Sequence, residues 1–599
     1  MTNDSPKSYY EHRIILLDKR RLTLNRKRSR LAWLRLSTVL GGIASAWLIW
    51  PANTLLAIIA MVFFTVLFVR LILLDIKTRM EAENTDRLIA INRNELQLLA
   101  HEFQQLPEGA QFADPAHPYT HDLDIFGRSS LYQYINRTTS EQGQVALANA
   151  LSFPAEKEKL PGLQDAAKEL ASMPEFCQQL QASGKAAGIT LATEKKITAW
   201  AGEETQIIHK PLWQAARIIL PLISFGLLVL YIEGLIPGNR FTPAIVLMMI
   251  LSYGISKMAG PAHSRLSRIT GQLATLSESI GLIEKTSFRS PVLQEIKNSF
   301  DQSAQKASNQ IRELTRILER LDYRLNFIVH IPLNTFLFWD LQQLIALEKW
   351  REQHRTTIHT WFYGLAKMEL AVTTGTLTFN HPHWAFTELA SGGGVFEAYS
   401  LGHPLIPENK RVNNDFSTSS NGIINLITGS NMAGKSTFLR SIGVAIVLAG
   451  MGAPVCARRL SCSSMKLMSS MRVSDNLEES TSTFYAELKK LKEIIQAVNH
   501  GDKVFLLLDE ILRGTNSADR HSGSKALVRQ LVHHGAAGLL ATHDLELARL
   551  AEEMPGGIRN YHFDVQVSGE ELYFDYQLKK GICQSMNASL LMRKIGIEL

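Results

Sequence analysis

The stretch that most constrains this chain is GSNMAGKST at 429–437, which fits the phosphate-loop pattern G-x-x-x-x-G-K-[ST]. An apolar run at 423–427 leads in and reads as a buried strand. Residues 438–442 lead out and read as the start of a helix. A phosphate loop needs that context: glycines turn backbone N–H groups toward an anion, and the helix N-terminus adds partial positive charge. ATP and Mg²⁺ are therefore the expected cofactors. Gly429, Asn431, Met432, Ala433, Gly434 and Thr437 are expected to form the cradle. Lys435 is expected to reach the β- and γ-phosphates, and the Ser436 hydroxyl to ligate Mg²⁺. The fold expected here is an α/β phosphate-loop ATPase domain.

Two later stretches complete the chemistry. VFLLLDE at 504–510 is a buried strand ending in two carboxylates. Beside a phosphate loop, Asp509 is expected to organise Mg²⁺ and Glu510 to polarise the attacking water. LLATHD at 539–544 is a further strand ending in His543, whose imidazole is expected to hydrogen-bond the γ-phosphate or the water. The enzyme class expected is an ATP hydrolase.

The rest of the chain is read from charge and hydropathy. Of the 63 Lys and Arg, ten lie in residues 1–36 against three acidic residues, leaving 53 of each sign beyond. The net charge of +7 therefore belongs to the N-terminus and not to a general nucleic-acid-binding surface. Apolar runs follow at 31–50 and 54–74, each about 20 residues, the length that crosses ~30 Å of hydrocarbon. A second pair spans 217–236 and 241–258. Arg35 and Arg70 can snorkel to one interface. Lys210, Arg217, Lys257, Arg265 and Arg268 flank the near side of the second pair, with only Arg240 in its far loop. The positive-inside rule then predicts four crossings, both hairpin tips outside and every long segment in the cytoplasm, a multi-pass protein of the cytoplasmic (inner) membrane. The four cysteines show no paired metal spacing and fit a reducing compartment.

What separates related ATPases is the segment between loop and acidic strand. It has no L-S-G-G-Q-like signature, which argues against a transport ATPase of the ABC type. Instead SDNLEESTSTFYAEL at 474–488 resembles the S-D-x-L-x-x-x-x-S-T-F-x-x-E-[ML] segment of the MutS mismatch-repair family. Residues 429–437 resemble the family's G-P-N-M-G-G-K-S-T, with Ser430 and Ala433 as departures. Residues 509–519 are similar to D-E-[IL]-G-R-G-T-S-T-x-D, and 541–543 match A-T-H. His403-Pro404 and Asn414-Asp415 sit where the family has R-H-P and P-N-D, and 130–143 resembles the opening of its helical core. The resemblance implies a head-to-tail homodimer in which Ser482 of the partner subunit approaches the γ-phosphate held by Lys435. It also implies DNA as a partner. The family's N-terminal mismatch reader, with its Phe-x-Glu wedge, is replaced here by the basic segment and a hairpin. The F-x-E triplet at 386–388 lies far from that place.

The expected organisation is thus a basic cytoplasmic N-terminus (1–30), a first transmembrane hairpin (31–74), and a helical region (75–210) whose core-like part begins near 122. A second hairpin (211–258), a helical lever (259–369) and the ATPase domain with its lead-in (370–599) follow. Runs at 370–374 and 376–379 read as short strands of that lead-in. The balanced charge beyond residue 36 also fits a membrane-bound mechanochemical switch acting on a protein or lipid partner.

Overall fold

The computed structural model describes residues 5–205, 207–301, 305–390, 394–418, 422–472, 483–568 and 571–583. The first part is mostly helical, apart from a turn-rich stretch at 100–130 that holds one 3-10 turn, Ala110–Phe112. Helix α1 (Pro6–Ile49) and helix α2 (Thr54–Leu99) form an antiparallel hairpin closed at Asn53, whose side chain accepts the Leu56 N–H at 3.1 Å. Gly41 and Gly42 let α1 approach the Phe64 ring, where a Cβ would come within 3.1 and 3.3 Å. The basic segment is no separate unit, because α1 runs on from Pro6 without a break. At 44 residues α1 is about 66 Å long at 1.5 Å per residue, far longer than an apolar span needs. Just past the apolar run of α2, Asp75 pairs with Arg35 at 3.2 Å.

A second hairpin is made by α3 (Pro211–Ile232) and α4 (Gly238–Leu266). All four helices are long and apolar enough to cross a membrane, and few residues of their apolar windows are buried in the folded chain. Between and after the hairpins lie shorter helices packed into one core that runs from Ala166 to Val372. The helical region breaks before residue 141. One helix spans Leu131–Ile135 and the next Glu141–Ser152, with Ser140 capping the second by accepting the Gly143 N–H at 3.0 Å.

One expectation is corrected. Residues 370–379 form no strands; they belong to a single helix, Ile358–Asn380, buried on nearly every side. Their β-branched composition is overridden by tertiary packing. Thr373 and Thr378 return their hydroxyls to the carbonyls of Glu369 and Thr374 at 2.9 and 2.8 Å. Gly375 sits where a Cβ would meet Leu170 at 2.5 Å. The helical core therefore extends to Asn380, and the lead-in to the nucleotide domain begins after it, not at 370.

Two sheets follow. The smaller has strands β1 (Thr387–Leu389), β2 (Phe396–Leu401), β3 (Asn414–Thr418) and β5 (Arg459–Cys462) in the order β1-β5-β2-β3. The larger has β4 (Ile424–Thr428), β6 (Lys466–Ser470), β7 (Val504–Asp509), β8 (Ala537–Thr542), β9 (Ile558–Ser568) and β10 (Glu571–Lys580), in the order β10-β9-β4-β8-β7-β6. All its pairs are parallel except β9 with β10. Strands β4, β7 and β8 are buried at every position, as expected of a parallel sheet covered on both faces. One face packs against the helix Lys435–Gly450 and, through it, against Leu123, Tyr132 and Leu147 of the helical region. The other is covered by the helices Thr483–Asn499 and Ser517–His533.

Candidate functional site

The register of the large sheet decides where the chemistry meets. Thr428 at the end of β4 lies beside Thr542 at the end of β8, and Ala541 beside Asp509 at the end of β7. The phosphate loop, Asp509-Glu510 and His543 thus leave the same carboxyl edge of neighbouring strands, where open α/β sheets bind ligands.

The loop has the backbone its sequence requires. Gly429 has φ 143° and Gly434 φ 98°. A Cβ on Gly429 would meet the Phe563 carbonyl oxygen at 2.8 Å, so only glycine fits there. Residues Asn431–Ala433 make one 3-10 turn, Ala433 is fully buried and Met432 is exposed. The helix then starts at Lys435, aiming its free N–H groups into the loop. The Lys435 ammonium folds back onto the Gly429 and Ser430 carbonyls at 2.6 and 2.9 Å. Burial lowers its pKa to about 8. Ser436 donates from Oγ to Asp509 Oδ2 at 2.5 Å. Burial raises the Asp509 carboxyl, against that hydrogen bond. A hydroxyl and a carboxylate oxygen side by side beneath an anion cradle fit Mg²⁺, a hard cation that takes few protein ligands and completes its shell with phosphate and water.

Glu510 follows β7 in the left-handed region, φ 50°, held there as its N–H donates to the Ala541 carbonyl at 2.9 Å. Its carboxylate touches His543 Nε2 and lies 3.2 Å from Arg513 Nε. The hydrogen bond from His543 holds Glu510 below the usual carboxylate range. His543 Nδ1 is 2.9 Å from the Gly429 carbonyl oxygen, so this imidazole ties the carboxylate to the loop. Glu487, buried on the helix Thr483–Asn499, accepts the Leu512 and Arg513 N–H groups and fixes the turn after Glu510. The sequence marked Glu487 only within a motif; its positioning role requires the fold. Ser482, Ser474 to Thr481 and the Gly392-Gly393 pair lie outside the described residues.

A pocket of about 310 Å³ opens beside the loop, lined by Val412, Gly434, Thr437, Phe438, Phe563 and Tyr576 among others. Tyr576 was not legible as a site residue. It is brought there by Asn414, which donates to the Tyr576 carbonyl at 3.0 Å and accepts the Leu578 N–H at 2.7 Å. The β9–β10 register breaks between Phe574 and Leu578, and the Tyr576 ring would lie 3.0 Å from a Cβ on Gly434. His403 is buried in the same wall and pushed down to about 4 by that burial, so it lines the pocket neutral. Lys410, Arg411 and Ser441 also line it, so this mixed slot next to a phosphate cradle sets the rings of Phe438, Phe563 and Tyr576 beside polar groups and has the size for a planar base.

Comparison with known proteins falls on this half of the chain. Residues 425–592 match the family model MutS domain V. The DNA mismatch repair protein MutS of Aquifex pyrophilus is 36% identical over 197 residues, 31% of this chain and 23% of that protein. MutS of Caldicellulosiruptor bescii is 34% identical over 176 residues, 29% of this chain and 20% of that protein. MutS protein homolog 4 of Homo sapiens is 32% identical over 205 residues, 32% of this chain and 22% of that protein. The chain thus spans less than a quarter of the length of the relatives it matches.

Proposed function

Through its C-terminal domain this chain belongs to the MutS family, and on that premise we propose that it is a membrane-anchored ATPase working as a head-to-tail dimer and coupled to DNA. The observation that carries the nucleotide part is the convergence of Lys435, Ser436, Asp509, Glu510 and His543 at one sheet edge, with Ser436 and Asp509 already in hydrogen-bond contact. Ser436 and Asp509 would hold Mg²⁺, which when bound would supply charge neutralisation for the nucleotide phosphates. Lys435 exchanges its two backbone carbonyls for phosphate oxygens and regains a full counter-charge. Glu510, kept ionised, orients a water and accepts its proton, and His543 holds that carboxylate against the loop. The slot under Tyr576 takes the base.

Anchoring rests on the four exposed apolar helices and on Lys and Arg flanks that gather on one side, which supports a cytoplasmic nucleotide domain. The dimer rests on the Ser482 segment. DNA as partner rests on the relatives, which are named as DNA mismatch repair proteins. A membrane-bound switch acting on a protein or lipid is the second reading, favoured by the confinement of excess positive charge to residues 1–36.

Two experiments test these parts. ATP turnover of the full chain in bilayers, with and without duplex DNA over a salt series, should show stimulation that falls steeply with salt, as phosphate contacts require. An ATPase indifferent to DNA would favour the switch. Mixing Ser482→Ala with Lys435→Ala subunits should restore part of the activity that each lacks alone, because mixed dimers leave one site intact. No restoration would remove the shared-site dimer.

A further inference from the structure

Among the described residues, one short helix has its polarity reversed. Helix α5 (Phe327–Leu337) is too short to cross a bilayer, and no Asp, Glu, Lys or Arg lies between Arg324 and Asp340. Its polar side chains face inward. Asn334 and Thr335 are buried, and Asn334 donates to the Ser252 carbonyl of α4 at 3.3 Å and accepts the Asp340 N–H at 3.2 Å. His330 Nε2 lies 3.1 Å from Asp340 Oδ2, and Asp340 also accepts the Ser256 hydroxyl. The apolar side chains face outward: Phe327 is 76% exposed, Ile328 81% and the preceding Leu325 76%. A helix docked on a protein and bathed in water shows the opposite pattern. Polar inside and apolar outside is the pattern of a surface whose solvent is hydrocarbon.

Its position supplies the occupant. The helix packs against both α3 and α4, so its apolar face continues that of the second hairpin. Ser252 of α4, which Asn334 bonds, and Ser256, which donates to Asp340 just beyond α5, lie six and two residues before Met258, where the apolar run ends. At 1.5 Å per residue Ser252 is about 9 Å inside that end. Helices lying in a membrane interface bury their apolar face by ~5–10 Å. Tyr323 and Trp339 flank the two ends of α5 and stack on each other with centroids 6.1 Å apart, and the Trp339 indole donates to the Arg320 carbonyl at 2.9 Å. Aromatic rings of this kind collect at the level of lipid headgroups.

We propose that α5 is a third membrane element: an interfacial helix that inserts Leu325, Phe327 and Ile328 into the cytoplasmic leaflet beside the second hairpin. This rests on the membrane reading above, and the test separates the two. Full-length chain carrying a spin label at Ile328→Cys, Val62→Cys or Glu313→Cys is placed in phospholipid bilayers. Collisions of each label with oxygen and with a water-soluble nickel chelate are then compared. Val62 lies within the first apolar run, and Glu313 is exposed on the helix Ala307–Leu321 of the helical core. The oxygen-to-chelate ratio at 328 should be several-fold above that at 313 and approach that at 62. A water-like 328 beside a lipid-like 62 overturns the inference and leaves the anchoring standing. Shielding of 328 from both reagents means that protein covers α5, a second copy included, and overturns it equally. Water-like behaviour at both 328 and 62 removes the anchoring and this inference with it.

Discussion

The helical half and the nucleotide half treat buried charge in opposite ways. In the helical half the buried carboxylates Glu95 and Glu369 are each met by several donors. Arg137 donates to both Glu95 oxygens at 2.5 and 2.9 Å; Asn380 donates to Glu95 at 2.8 Å and itself accepts the Tyr10 hydroxyl at 2.7 Å. Glu369, raised by burial, accepts the N–H and hydroxyl groups of Thr139 and Ser140. These networks join helix α1, helix α2 and the last helix before the nucleotide domain. In the nucleotide half Lys435 and Asp509 are met less fully. Lys435 hydrogen-bonds only to carbonyls and has a pKa lowered by burial, and Asp509 is raised by burial, with the Ser436 hydroxyl and, at 3.9 Å, Arg513 beside it. A matched buried pair holds structure together; an unmatched one keeps free energy in reserve for a ligand that completes it.

Substitutions should divide along the same line. Lys435→Ala is expected to abolish ATP binding, measured by equilibrium titration, while the unfolding midpoint stays near wild type, because the change removes a charge that the apo fold does not neutralise. Arg137→Met is expected to do the reverse. It leaves Glu95 buried without its cation, at a cost of about 3–5 kcal/mol in denaturant unfolding, with ATP affinity unchanged in whatever protein remains folded. A Lys435→Ala protein that unfolds, or an Arg137→Met protein that loses nucleotide at full stability, would erase the distinction.

A smaller effect comes from pH. The free Lys435 titrates near 8, below its ordinary value, and phosphates bound beside it must raise that pKa. Binding therefore takes up a proton above pH 8. ATP affinity should be complete below 8 and fall as pH rises past it, by up to about tenfold per unit. The sign for the apo fold is opposite: the unfolded chain binds the extra proton, so this group adds stability as pH rises from 8 toward the ordinary lysine range. ATP affinity flat from pH 7 to 9.5 would mean that the ammonium is not completed by the ligand.

Much of the site could be read directly from the residues. Strands β4, β7 and β8 are continuous apolar runs with their chemistry at the ends, and Gly429, Lys435, Asp509, Glu510 and His543 all follow from spacing along the chain. The misread stretch, 370–379, is rich in threonine, and only the packing of Leu170 and its neighbours around it makes it helical. Tyr576 and Glu487 act across long separations, through Asn414 and through the amides of Leu512 and Arg513, so no local pattern marks them. The phosphate contact expected of His543 is, in this structure, a bond to Glu510 and the Gly429 carbonyl. Helix α5 escaped because its eleven residues fall short of a span, and only the inward turn of Asn334 reveals what its outer face meets.

The central claim is that the domain at 425–592 hydrolyses ATP with a water oriented by Glu510. Its most direct test is Glu510→Gln in the full chain in bilayers, with ATP binding and turnover measured on the same samples as wild type. Retained binding with turnover lowered ~10²-fold or more is predicted, the loss expected when a general base is removed. Turnover equal to wild type, or loss of ATP binding itself, would contradict it.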